Sequence, residues 1–128
     1  NSLIAEHNLV NQKLIVRVVG KLGFTSKVTA TGIEVIEAFE REFHEVILMD
    51  VQIPEMDGLE ATRQIRKRFE KQPIIVAMTA NAMVEDREEC FAAGMDYYIS
   101  KPINMEELLK VLGEVSARFA GLAPDQRL

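Results

Sequence analysis

The sequence has a single cysteine, Cys90, so it cannot close an internal disulfide, and a reducing compartment is its natural setting. No apolar run approaches the roughly 18 residues that span a bilayer, and no signal-peptide pattern is visible. The expectation is a cytoplasmic domain that makes no membrane contact of its own. Basic residues are not in excess. Fifteen Lys and Arg against 20 Asp and Glu leave a net charge of −5, which argues against a nucleic-acid surface. Repeats and low-complexity tracts are also missing. What is present is ordinary for a globular protein: 48% hydrophobic and 27% charged residues over 128 positions, about one domain's length. The chain opens at Asn1 rather than Met, with barely a strand's worth of residues before the first polar cluster, and reads as a piece of a longer protein.

Five short apolar segments alternate with helical patterns. Ser2 to Ala5 is the first, stopped by Glu6-His7-Asn8. A helix is expected from about Leu9 to Leu22, with Val10, Leu14, Val18 and Leu22 as its inner stripe and Gly23 as its left-handed cap. A weak strand from Ser26 to Thr29 leads to Thr31-Gly32-Ile33-Glu34, a capping box that opens a second helix with Val35, Ile36 and Phe39 inward. Val46 to Met49 and Ile74 to Met78 are unbroken apolar runs without alternation, the pattern of strands buried on both faces of a parallel sheet. Between them a turn, Gln52 to Gly58, precedes a helix from about Leu59 to Phe69 with Leu59, Thr62, Ile65 and Phe69 inward. A helix from about Met83 to Ala93 ends at Gly94, and a strand from Tyr97 to Ile99 follows. Asn104 and Glu107 form a cap-like pair before a last helix whose Leu108, Leu112, Val115 and Phe119 face inward. From about Gly121 the chain reads as a tail or linker. Right-handed crossovers between parallel strands place helices on both faces. The fold class expected is a doubly wound α/β sandwich, flavodoxin-like with strand order 2-1-3-4-5, and its site belongs at the carboxyl ends of the strands.

At those ends lie Glu6 and His7 after the first strand, Asp50 after the third, Thr79 at the fourth and Lys101 at the fifth. Singly, each has a plain explanation: a turn-capping Asp, a helix-capping Thr, a solvated Lys. Together, a carboxylate pair, a hydroxyl and an ammonium on one rim suit phosphoryl transfer. A carboxylate nucleophile meets an anionic phosphoryl group only if a divalent cation and a fixed ammonium cancel the repulsion.

Four blocks carry a resemblance to a known family: Asn8 to Gln12, Met49 to Arg63, Met78 to Met83 and Ala93 to Ile103. In order and spacing they resemble the receiver domain of response regulators in two-component signalling, and most of all the receivers of hybrid sensor histidine kinases. The match runs from Leu3 to about Val115, which implies a receiver domain over residues 1–117 and a helix end and tail over 118–128. The resemblance implies a phosphorelay phosphoacceptor that takes a phosphoryl group from phosphohistidine onto Asp50 and switches its partner binding. It also implies no enzymatic activity beyond self-phosphorylation and autodephosphorylation. Lys101, Thr79 and Ala80 would attend the phosphoryl group, and Thr79 and Tyr98 would form the switch. Glu6, Asp50 and the backbone carbonyl of Gln52 would hold Mg²⁺, and the side chains of Gln52 and Asn81 would tune dephosphorylation. The Lys101–Pro102 bond resembles one that is cis in the family. The implied partner is a histidine kinase or a histidine phosphotransfer protein.

One position departs from the family's pattern. Two acidic residues normally follow the first strand, and His7 stands where the direct carboxylate ligand is expected. Imidazole suits Mg²⁺ poorly and Mn²⁺ less poorly. Two outcomes stay open: weakened or altered metal dependence, or a His7 that points away while Glu6 and water complete the shell. The first makes a pseudo-receiver, a docking module with little phosphorylation, the main rival. A flavin carrier on the same fold would need a Ser/Thr/Gly-rich phosphate loop after the first strand, and Glu6 to Val10 offers none. Lys13, Arg17 and Lys21, and the cluster Arg63, Arg66, Lys67, Arg68 and Lys71, read as solvated faces. His44 is expected to be exposed in a polar loop, and Cys90 to be packed rather than reactive.

Overall fold

The two unbroken apolar runs are buried at every position, because helices cover both sides of the sheet to which they belong. In this computed structural model, which describes residues 2–80 and 83–122 with side chains to 118, five strands alternate with five helices. The strands are β1 (Ser2–Ala5), β2 (Ser26–Thr29), β3 (Val46–Asp50), β4 (Ile74–Thr79) and β5 (Tyr97–Ser100). The helices are α1 (Leu9–Lys21), α2 (Gly32–Arg41), α3 (Gly58–Arg68), α4 (Val84–Ala93) and α5 (Met105–Leu122). All pairings are parallel, and the sheet order is β2-β1-β3-β4-β5, as expected.

Side-chain alternation splits the core in two. Leu3, Ile47, Met49, Ile75 and Ala77 pack toward Val35, Phe39, Ala61, Ile65 and Cys90, which lie on α2, α3 and α4. Ile4, Val46, Leu48, Val76 and Met78 pack toward Ile15, Val18, Leu108, Leu112 and Val115 on α1 and α5. Local signals set the helix ends. Thr31 accepts the Glu34 amide at 3.1 Å while Glu34 reaches back to the Ala30 amide at 2.7 Å. Asn104 accepts the Glu107 amide at 3.0 Å. Gly94 ends α4 at φ +113°, a left-handed conformation that suits glycine.

Several expectations need correction. Val10 and Leu22 of the α1 stripe are exposed, and Ile15, Val18 and Val19 are the buried residues. A strict four-residue spacing advances about 40° per step around a 3.6-residue helix, so it leaves the buried face within three steps. In α3, Leu59 and Phe69 are only half-buried and Ala61 joins Thr62 and Ile65 inside. His44 is not exposed but buried, its ring tilted against Phe39 at 6.5 Å between centroids, and neither ring nitrogen has a hydrogen-bond partner. Burial holds its pKa below the ordinary value, opposed in part by Glu42.

Arg66 is no solvated cation either. Its guanidinium donates to the Gly94 carbonyl at 2.9 and 2.6 Å, to Asp96 at 2.8 Å, to Gln72 at 2.8 Å and to the Pro73 carbonyl at 2.9 Å. Arg68 pairs with Glu40, and Lys71 stands over the Phe43 ring, so these two are also engaged. Lys13, Arg17 and Lys21 are exposed as expected, and Cys90 is buried. Helix α5 continues through Leu122, past the point where the tail was expected to begin; residues 123–128 and the side chain of Phe119 lie outside the described residues.

Candidate functional site

Sheet register brings the rim together. Ala5 is level with Met49, so the residues that follow them, Glu6 and Asp50, stand side by side where the strand order reverses. Thr79 is level with Ser100, so Lys101 follows directly beside it, and the Lys101 amide donates to the Thr79 carbonyl at 2.7 Å. The Lys101–Pro102 bond is cis.

Lys101 is the hub. Its Nζ donates to Asp50 Oδ2 at 2.7 Å and to Glu6 Oε2 at 3.3 Å, and lies 3.0 Å from Glu6 Oε1. The lysine therefore bonds to both carboxylates. Both acidic residues are buried, Glu6 at 1% and Asp50 at 4% exposure, so little water screens these contacts. Burial alone would lower the Lys101 pKa, but the hydrogen bonds it donates to Asp50 and Glu6 outweigh it and hold the pKa above the ordinary value. At neutral pH the ammonium is fully charged.

The carboxylates are aimed by the backbone. The Gln52 amide donates to Asp50 Oδ1 at 3.0 Å, and the Asn8 amide donates to Glu6 Oε2 at 3.0 Å. Asn8 also caps α1 by accepting the Asn11 amide at 3.0 Å, so the turn that holds Glu6 is also the start of a helix. Two supports were not singled out from the sequence. Gln12 donates its side-chain amide to the Glu6 carbonyl at 2.6 Å. Gly58 lies so close that a Cβ there would stand 2.4 Å from the Asp50 carbonyl oxygen. The glycine right after Asp57 in the turn was the available signal for the second; an amide on a helix gave none for the first.

The remaining candidates are placed as follows. The Thr79 side chain is buried at the end of β4, and Ala80 is exposed just beyond it. Tyr98 is half-buried on β5 with the Arg87 guanidinium 5.4 Å from its ring centroid, and burial raises its hydroxyl pKa. Asn81 lies outside the described residues. His7 is exposed, and among the described residues no three of His, Cys, Asp and Glu gather into a metal-binding cluster. A divalent cation at this rim would meet the carboxylates of Glu6 and Asp50, hard oxygens of the kind Mg²⁺ prefers. Glu6 Oε1 fits that use: it is buried and accepts no hydrogen bond, its contact with Lys101 Nζ at 3.0 Å being an ion pair alone.

Comparison with known proteins gives a consistent result. Residues 3–113 match the model of the response regulator receiver domain. The chain is 39% identical over 115 residues to hybrid signal transduction histidine kinase K of Dictyostelium discoideum, covering 83% of this chain and 9% of that protein. The chain thus spans under a tenth of that relative's length. Among solved structures, the receiver domain of a Pseudomonas aeruginosa sensor histidine kinase, with a magnesium ion coordinated in its active-site cleft, superposes with a TM-score of 0.80 at 38% identity. That match covers 90% of this chain and 96% of the other. The co-crystal structure of the Saccharomyces cerevisiae histidine phosphotransfer protein Ypd1 with the receiver domain of its downstream response regulator Ssk1 gives a TM-score of 0.85 at 32% identity, covering 94% and 90%.

Proposed function

The chain belongs to the response regulator receiver domain family, and from that premise we propose that it is the phosphoacceptor of a phosphorelay, with Asp50 as the residue modified. The observation that carries this reading is the buried triad in which Lys101 Nζ stands 2.7 Å from Asp50 and 3.0 Å from Glu6. An Asp50 oxygen attacks the phosphorus of a partner's phosphohistidine while the phosphorus–nitrogen bond breaks. The electron pair stays with the leaving imidazole, and Asp50 becomes an acyl phosphate. Lys101 balances charge on the phosphoryl oxygens, Thr79 donates its hydroxyl to one of them, and Ala80 leaves room beside them. Glu6, Asp50 and the Gln52 carbonyl would hold a divalent cation, which would supply the charge that lets two anions meet. Thr79 and Tyr98 then shift and change partner binding, and the Gln52 and Asn81 side chains set how fast water removes the phosphoryl group.

The partner proposed is a histidine kinase or a histidine phosphotransfer protein, as in the Ypd1–Ssk1 pair. Self-phosphorylation from small donors and autodephosphorylation complete the activity. The receiver unit is taken as residues 1–117, with 118–128 as helix end and tail, in a cytoplasmic setting; among the described residues no helix is long and apolar enough to cross a membrane. His7 is exposed and stands where the family's pattern has a carboxylate, so the metal shell has one acidic ligand fewer. With one carboxylate fewer than the family's pattern, Mg²⁺ binding is weak and Mn²⁺ is accepted in its place.

Incubation with acetyl phosphate, with and without Mg²⁺ or Mn²⁺, tests this by intact mass. Wild type gains one phosphoryl group with metal, and Asp50→Asn gains none. A wild type that stays unmodified with every metal points instead to a docking module. His7→Asp should tighten Mg²⁺ binding; equal affinity would refute the weak-site reading.

A further inference from the structure

The first turn of α2 meets the loop after Asp50 where there is no room for a side chain. Gly32 is buried, and a Cβ there would stand 1.9 Å from the Met56 carbonyl oxygen and 2.8 Å from Met56 Cβ. The obstacle is main chain, which cannot swing aside as a side-chain tip can. Any larger residue has to drive the two segments apart by roughly an ångström or more in a close-packed region. Gly32 also donates its amide to the Pro54 carbonyl at 3.4 Å.

The loop is fixed on its other side too. The Gln52 amide bonds Asp50 Oδ1, the Gly58 amide donates to the Val51 carbonyl at 2.9 Å, and Ile53 is buried in the core. Between these anchors Glu55 takes a left-handed φ of +72°. A non-glycine residue holds that conformation where surrounding contacts determine it. Its two neighbours, Pro54 and Met56, are the residues that touch Gly32.

The geometry points to Gly32 as a positioning residue for the acceptor site: the α2 N-terminus is the stop that sets the path of residues 52–57, and with it the Gln52 peptide, whose amide bonds Asp50 and whose carbonyl is the proposed metal ligand. The inference rests on the phosphoacceptor reading and deepens it, since it names a second element, remote in sequence, on which the metal-facing carbonyl depends. Mg²⁺ is demanding about ligand placement, so a displaced carbonyl would be a markedly poorer ligand for it.

The test follows backbone amides by NMR while Mg²⁺ is titrated into the wild-type domain. The Gly32 amide should move on the same binding curve as that of Gln52. Gly32→Ala should keep a cooperative thermal transition yet bind Mg²⁺ about tenfold or more weakly, the usual size of a supporting-residue effect. Adding Glu55→Gly, which frees the loop to take another path around the new methyl, should recover part of the loss. A Gly32 amide that stays still while Gln52 moves, or a Gly32→Ala protein with unchanged Mg²⁺ affinity, overturns the inference alone. A Gln52 amide silent to Mg²⁺ overturns the phosphoacceptor reading with it. If Gly32→Ala does not fold, the wild-type titration decides.

Discussion

Replacing Lys101 by methionine keeps most of the side chain's length and removes its charge, leaving Glu6 and Asp50 adjacent without the ammonium that binds both. The two carboxylates are almost wholly buried, with side-chain exposures of 1% and 6%, while Lys101 retains 19%. Removing one partner of a buried ion pair costs about 3–5 kcal/mol; because some water reaches the ammonium, the lower end, about 3 kcal/mol, applies here. For a domain of this size that lowers the melting temperature by roughly 10 °C. Circular dichroism of wild type and Lys101→Met near neutral pH, without divalent metal, reads the shift. The cost comes from stranded charge rather than lost packing, so Glu6→Gln added to Lys101→Met should cost clearly less than the two single changes summed, with coupling of about 1–3 kcal/mol. Mg²⁺ should raise the melting temperature of Lys101→Met more than that of wild type, because it supplies the missing positive charge. A Lys101→Met protein that melts within about 2 °C of wild type, or a strictly additive pair, would refute the reasoning.

His44 is held neutral in the fold by burial, so its contribution to stability is complete above its ordinary pKa of 6.5 and is lost as pH falls through the lowered value. Urea unfolding should therefore show a loss as pH falls from 6.5 toward that lowered value, a component that His44→Leu removes, and the substitution should be neutral or stabilising because it removes two unsatisfied nitrogens. Arg66→Ala, which deletes the clamp on Gly94, Asp96, Gln72 and Pro73, should cost about 2–3 kcal/mol in the same assay, and Arg66→Lys should restore little because an ammonium cannot reproduce the planar fork. Gly58→Ala should displace the Asp50 backbone and slow labelling by acetyl phosphate by about a hundredfold, a rate loss that a misplacement of order an ångström can produce.

The features legible in the sequence were those with local causes. Unbroken apolar runs marked β3 and β4 because burial on both faces removes alternation, and Thr31, Gly94 and Asn104 marked helix ends because capping acts within three or four residues. The rim of Glu6, Asp50, Thr79 and Lys101 followed from topology, since parallel strands deliver all their carboxyl ends to one edge. What stayed hidden depends on tertiary contacts. His44 sits among polar neighbours, yet it is buried with its ring tilted against Phe39, five positions back. Arg66 resembled the four basic residues around it until the carbonyl of Gly94, 28 positions on, took its guanidinium. Gly32 read as the second residue of a helix cap, and its closeness to Met56 is a fact of tertiary packing alone.

Trapping the acyl phosphate chemically tests the assignment of Asp50 most directly. Borohydride reduces a phosphorylated aspartate to homoserine, so labelling with acetyl phosphate and Mg²⁺, reduction and peptide sequencing should find homoserine at position 50 and at no other aspartate. An unconverted Asp50 in a labelled protein, or homoserine at Asp57 or Asp86 instead, would contradict the assignment.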